Sequence, residues 1–191
     1  MVGVLALQGA FARHADMLRE CGVDTVEIRQ PRHLDGIHAL VMPGGESTTM
    51  VKLLHTFELA EPIGELLAGG LPTFGTCAGM ILLARSVTDG HPGQFCFDAI
   101  DIAVRRNGYG RQINSFEADL VIEAAGAVDD PLRAVFIRAP VVEKAGHDVE
   151  VLAAIDDVPV LCRQGPVLVS SFHPELTDDS RLHQLFVSTL D

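Results

Sequence analysis

A chain of 191 residues, 48% hydrophobic and 21% charged, has globular composition and length enough for one α/β domain spanning residues 1–191. Its formal net charge of −12, with no Lys/Arg-rich run, disfavours nucleic acid and anionic membranes, which need the opposite sign. No apolar run approaches the ~20 residues of a membrane span. The short apolar start lacks the basic leader of a signal peptide. The four cysteines (Cys21, Cys77, Cys96, Cys162) form no C-x-x-C pair, so reduced thiols in a cytoplasmic setting are expected rather than zinc or disulfides.

Val2–Leu7 reads as a buried strand, a brief apolar run ended by Gln8-Gly9. A helix follows, with Phe11, Ala15 and Leu18 on one face and Gly22 as its stop. Thr25–Ile28 and Ala39–Met42 are the next strands. After Pro43-Gly44-Gly45-Glu46-Ser47 comes a helix with Met50, Leu53, Leu54 and Phe57 at i, i+3, i+4 and i+7, then a helix over Glu61–Leu67. Thr73-Phe74 is a fourth strand, and Met80–Ala84 a helix apolar nearly all round, which must be buried on several sides. Thr88–Phe97, with Gly90, Pro92 and Gly93, reads as a surface loop. The second half is richer in strands: Ile100–Val104, Phe116–Ile122, Ala134–Ile137, Val149–Ala154, Val160–Arg163 and Val167–Phe172, with a hairpin at Gln164-Gly165-Pro166. A closing helix aligns Leu182, Leu185, Phe186 and Leu190. Such alternation implies a three-layer, doubly wound, mostly parallel sheet, whose ligands bind at the carboxyl ends of the strands.

Three segments fall at such ends. Gly75-Thr76-Cys77-Ala78-Gly79 has the G-x-nucleophile-x-G spacing of a strand-to-helix elbow, with Cys as nucleophile. The turn brings neighbouring backbone too close for a Cβ at the glycines. It also holds the sulfur at a helix N-terminus, where the dipole favours thiolate. The Ala78 N–H would face an oxyanion formed on a carbonyl attacked by Cys77. The bland reading, a buried cysteine in a Gly-rich turn, is common for the residue type. In Ser171-Phe172-His173-Pro174-Glu175, an extended segment would point His173 and Glu175 to one side, giving a base and the carboxylate that orients it. The other seven histidines default to solvated surface positions. His14 stands apart, because its helix starts just past the first strand end. In Pro43-Gly44-Gly45-Glu46-Ser47-Thr48-Thr49 the glycines let backbone N–H groups turn into a pocket as a second oxyanion donor, and Ser47 or Thr48 would cap the next helix.

With these segments in order the chain resembles the triad (class I) glutamine amidotransferases, whose sheet is flavodoxin-like. Among them it is similar to the glutaminase-subunit family of pyridoxal 5′-phosphate synthase. The similarity runs through Leu7-Gln8-Gly9, Pro43 to Met50, Phe74 to Met80, Arg106 to Gln112, Ser115-Phe116-Glu117, Phe136 to Pro140 and Ser171 to Leu176. It implies hydrolysis of L-glutamine by Cys77, His173 and Glu175, with no metal or cofactor. It further implies glutamine binding by Gly45, Glu46, Ser47, Arg106, Ile137 and Arg138, and an oxyanion hole from Gly45 and Ala78. Ammonia would pass to a separate synthase subunit in a hetero-oligomer, with Gln8-Gly9 and Gly110-Arg111-Gln112 as candidate contacts with it. The rival readings are a glutaminase subunit feeding another synthase, such as imidazole glycerol phosphate synthase, a peptidase or chaperone-like relative, and a silent interaction module.

Overall fold

The computed structural model describes residues 1–90, 94–106, 108 and 115–190. Seven strands form the central sheet in the order β10-β11-β12-β4-β3-β1-β2. Four of them, β1 (Val2–Leu5), β3 (Ala39–Met42), β4 (Thr73–Thr76) and β12 (Val167–Ser170), are buried along their whole length. Such strands are covered on both faces, which is why they read as unbroken apolar runs. They pair in parallel with one another, and β1 pairs in parallel with β2 (Thr25–Ile28). The far edge turns antiparallel through β11 (Val158–Gln164) and β10 (Glu150–Ile155), with β11 and β12 joined by the expected hairpin.

Alternation along the strands divides the core in two. Leu40, Met42 and Val169 face α2 (Ser47–Thr56), α3 (Ala60–Ala68), α4 (Ala78–Leu83) and a three-stranded sheet of β5 (Ala84–Val87), β6 (Ile100–Arg105) and β9 (Val141–Ala145). Val41, Phe74 and Leu168 face α1 (Phe11–Glu20), α5 (Arg181–Val187) and the hairpin of β7 (Ser115–Ile122) and β8 (Ala127–Ile137). The fold is thus the expected α/β, three-layer arrangement around a mostly parallel sheet.

Several elements differ from the sequence expectation. Helix α4 is buried throughout, as expected, but ends at Leu83, and Ala84 opens a strand whose Arg85 and Ser86 are exposed. Strand β9 (Val-Val-Glu-Lys-Ala) was not foreseen. Strand β8 begins seven residues before Ala134 and contains Pro131, which sits where the β7–β8 ladder is irregular, between the pairs Leu120–Leu132 and Ile122–Ala127. Proline is tolerated there because no ladder N–H is required of it. The connection from β2 to β3 holds a 3-10 turn, Pro31–Leu34, where the sequence reading placed no element.

Sheet order places the site. The ends of β12, β4, β3 and β1 are consecutive neighbours. The segments after them carry His173, Cys77, Gly44-Gly45 and Gln8 respectively, so residues far apart in sequence meet on one edge, where open α/β sheets bind ligands.

Candidate active site

Cys77 follows β4 and is the N-cap of α4, with φ 50° and ψ −102°. A positive φ in a residue with a Cβ costs of order 1–3 kcal/mol and persists only where the surroundings impose it. Here the Cys77 N–H donates to the Ser170 carbonyl at 2.8 Å, and its carbonyl accepts from the Ile81 N–H at 3.2 Å. The flanking glycines permit the turn. A Cβ on Gly75 would lie 2.6 Å from Leu83 Cδ1 and 2.8 Å from the Gly79 carbonyl carbon, and one on Gly79 would overlap the Met42 carbonyl oxygen. The thiol is 3.9 Å from the Ile137 carbonyl oxygen.

His173 Nδ1 lies 2.8 Å from Glu175 Oε1. The segment differs in detail from the extended form expected. Glu175 sits in a 3-10 turn, Pro174–Leu176, entered from His173 at φ −109°, ψ 86°. A turn shortens the path, so the i, i+2 pair closes directly. The His173 N–H donates to the Val135 carbonyl at 2.8 Å, which fastens the segment to β8. Burial acts to lower the pKa of His173, but hydrogen bonds to Cys77 and Glu175 and the negative charge on both raise it to about 10. Burial acts to raise that of Glu175, and contacts with His14 and His173 more than reverse it, holding the carboxyl well below its usual range. Both shifts favour the charged forms, of His173 and of a carboxylate only 1% exposed.

A cavity of about 210 Å³ opens over Cys77 and His173, lined also by Gly45, Glu46, Ser47, Ile81, Arg106, Ile137 and Arg138. Ala78 stands at the first position of α4, where backbone N–H groups have no intrahelical partner, but it does not line this cavity. Gly44 packs so closely under the base that a Cβ there would overlap the His173 ring and lie 3.4 Å from Cys77 Cβ. The cap of α2 is Glu46, in place of Ser47 or Thr48: its carboxylate accepts from the Thr48 and Thr49 N–H groups at 3.0 and 2.7 Å. Burial works against its ionisation, and the Thr49 and Thr48 donors outweigh it, lowering its pKa to about 2. Its own N–H donates to Gln8 Oε1 at 3.0 Å, so Gln8 is tied to the Gly-Gly turn.

Arg106 donates to the Thr48 hydroxyl at 3.4 Å and to the Asp89 carbonyl at 3.2 Å, while its buried Nε makes no hydrogen bond among the described residues. Arg138 adopts φ 45° just past β8, and its guanidinium makes no ion pair among the described residues. Of the expected partner contact Gly110-Arg111-Gln112, all three residues lie outside the described ones.

Two histidines assigned little by the sequence prove buried. His14 and His183 are both fully enclosed, against the solvated position expected of His183. His14 stands three residues after Phe11 and four before Leu18 on α1, and His183 three before Phe186 on α5, which puts each on its helix's apolar face. That helical spacing was the available signal.

The SNO glutamine amidotransferase family matches residues 4–191 of this chain. The chain belongs to that family. It is 57% identical over 187 residues, 97% of this chain and 91% of the relative, to "Pyridoxal 5'-phosphate synthase subunit PdxT" of Parafrankia sp. (strain EAN1pec). It is 55% identical over 186 residues, 97% and 93% of the two chains, to the protein of the same name from Pelotomaculum thermopropionicum. A solved structure described as "Crystal structure of glutamine amidotransferase" superposes with a TM-score of 0.91 at 47% identity, covering 99% of this chain and 98% of that one. Among the described residues no helix is long and apolar enough to cross a membrane.

Proposed function

We propose that this SNO-family amidotransferase hydrolyses L-glutamine to L-glutamate and ammonia through Cys77, His173 and Glu175, as the glutaminase subunit of pyridoxal 5′-phosphate synthase. The observation that carries the chemistry is the strained Cys77 elbow beside His173, whose Nδ1 lies 2.8 Å from the buried Glu175 carboxylate. The full-length likeness to PdxT chains supports the assignment to that synthase.

The Cys77 thiolate attacks the side-chain amide carbon of glutamine, and the carbonyl oxygen becomes an oxyanion facing the N–H groups of Ala78 and Gly45. His173, protonated on the face towards sulfur, gives its proton to the departing nitrogen, and ammonia leaves as the C–N bond breaks. A γ-glutamyl thioester remains. Water then loses a proton to His173 and attacks the thioester, and collapse of the second tetrahedral adduct releases glutamate and restores the thiolate. Glu175 holds the imidazole Nδ1–H throughout.

Recognition falls to the cavity rim. Arg106 and Arg138 supply cationic groups for the α-carboxylate, and the ionised Glu46 gives the adjoining wall the sign that suits an α-ammonium. Gly45, Ser47 and Ile137 shape the cavity around the side chain. The two halves of the core lie on opposite faces of one sheet, which supports a single glutaminase domain over 1–191. The partner is the synthase subunit that accepts the ammonia. All four cysteines are free, in keeping with a cytoplasmic setting.

Glutamate release measured with and without the pyridoxal phosphate synthase subunit tests the whole reading. Stimulation by that subunit, abolished by Cys77→Ala, is expected. Wild-type release from Cys77→Ala would overturn the mechanism, and stimulation by a different synthase alone would overturn the partner.

A further inference from the structure

Behind Glu175, on the side away from Cys77, lies a run of buried titratable groups that the glutaminase scheme leaves unused. His14 Nε2 is 3.3 Å from Glu175 Oε2, and His14 Nδ1 is 2.9 Å from His183 Nε2. All three side chains are at most 1% exposed. We propose that His14 is a positioning residue of the triad, holding the second carboxylate oxygen of Glu175, and that His183 fixes the tautomer in which His14 can do so. This rests on the proposed glutaminase reading.

Oxygen Oε1 of Glu175 is taken by His173, which leaves Oε2 buried with no hydrogen-bond partner among the described residues. Its contact with His14 Nε2 is too oblique to count as a full hydrogen bond, so what holds it is chiefly the pull of an N–H dipole on a carboxylate in a low-dielectric site. A carboxylate accepts and cannot donate, so Nε2 of His14 must carry the proton facing it. A neutral His14 then presents the Nδ1 lone pair, which needs a donor, and His183 supplies it from Nε2–H. The remaining atom, His183 Nδ1, becomes an unprotonated nitrogen, and it is buried with no hydrogen-bond partner among the described residues. An orphaned lone pair costs less than an orphaned N–H, so the end of the chain agrees with the tautomers assigned from its beginning. The reverse tautomer would aim a lone pair at the carboxylate. A doubly protonated His14 would force the proton on His183 to the partnerless Nδ1. Burial pushes the pKa of His183 down to about 3, so it stays neutral.

The surroundings fix the pair rigidly. The ring of Phe74, on the strand that leads to Cys77, meets both imidazoles edge-on at 6.3 and 5.8 Å between centroids. The Thr76 hydroxyl lies 3.4 Å from His14 Nε2 and is uncharged, so the carboxylate outcompetes it. Glu175 and His183 are the titratable groups facing His14. Arg13, one residue before it, reaches the Glu175 carbonyl at 3.3 Å and Asp178, not the carboxylate. Helices α1 and α5 thus reach the triad from behind, through a carboxylate whose other oxygen orients the base.

The test is steady-state glutaminase kinetics over a pH series on the complex with the synthase subunit, normalised by alkylation of Cys77. His14→Leu removes the donor, and kcat should fall by about tenfold or more while KM stays within about twofold. The acid limb of kcat should move to higher pH, because Glu175 loses a group that favours its ionised form. His14→Gln, whose amide can place an N–H near the position of Nε2, should recover most of kcat and the wild-type limb. His183→Leu should show the same shift more weakly. A folded His14→Leu protein with wild-type kcat and pH profile would overturn the proposal. So would Gln and Leu variants impaired alike, which would mean packing alone. A wild-type complex that releases no glutamate would instead defeat the glutaminase reading.

Discussion

The reacting half and the recognising half of the pocket are built from different parts of the fold. Cys77 and His173 rise from the ends of β4 and β12, neighbouring strands in the middle of the sheet, and Glu175 is 1% exposed. Arg106 and Arg138 come instead from the ends of β6 and β8, in the two smaller sheets laid on opposite faces of the large one. The atoms that must be placed to within a fraction of an ångström are thus fastened to the most constrained backbone, while the two arginines proposed for the α-carboxylate follow peripheral strands. Such a division lets the chemistry be preorganised without the whole cavity being rigid.

Substitutions should divide along the same line. The largest effect is expected from Glu175→Gln. An amide at this position can offer its N–H to Nδ1 and stabilise the wrong imidazole tautomer, so kcat should drop by about 10²–10⁴ with KM little changed. Gly44→Ala follows: its Cβ would overlap the His173 ring, and displacing the base should cost about 10² in kcat in single-turnover measurements. Removing a cation from the rim, Arg138→Ala or Arg106→Ala, should instead raise KM for glutamine by about 10–100-fold, the equivalent of one charge-assisted hydrogen bond, with kcat nearly kept. If the arginine variants lost kcat and the glycine variant lost affinity, the division would be wrong.

The smallest effect expected is on stability. His183 has a folded-state pKa of about 3, below its ordinary ~6.5, so the unfolded chain binds more protons and stability rises with pH between the two. Its contribution is therefore present above ~6.5 and is lost as pH falls towards about 3. Glu175, also held low, adds a loss of the same sign that begins only below ~4.3. Thermal melts should fall between ~6.5 and ~4.3 in the wild type and flatten there in His183→Gln, which has nothing to titrate.

The reacting half was also the more legible in sequence. The Gly-x-Cys-x-Gly elbow and the His-Pro-Glu run lie in consecutive residues, so local rules picked out the right side chains, though the second forms a 3-10 turn in place of the extended segment expected. The parallel core was readable for the same reason: strands buried on both faces announce themselves as apolar runs. The peripheral sheets were legible only in part: β6, β7 and the end of β8 were expected, but β5, β9 and the start of β8 were not. Strand β5 is only half apolar, β9 carries Glu143 and Lys144, and β8 runs through Pro131, all tolerated because these strands are short, edge-placed or irregular. The Glu46 cap escaped because Ser and Thr stand next to it and are the usual capping residues. His183 was assigned to solvent because a lone histidine gives no sign of a partner 169 positions away in the chain.

The central claim is that Cys77 takes the glutamyl group from glutamine. The direct measurement is acid-quenched peptide mass mapping of the complex with the synthase subunit during turnover of glutamine. A γ-glutamyl group on the peptide bearing Cys77, lost on longer incubation as glutamate accumulates and absent in Cys77→Ala, is the predicted result. Continued glutamate release with no acyl group on Cys77, or with the group on another residue, would contradict the account.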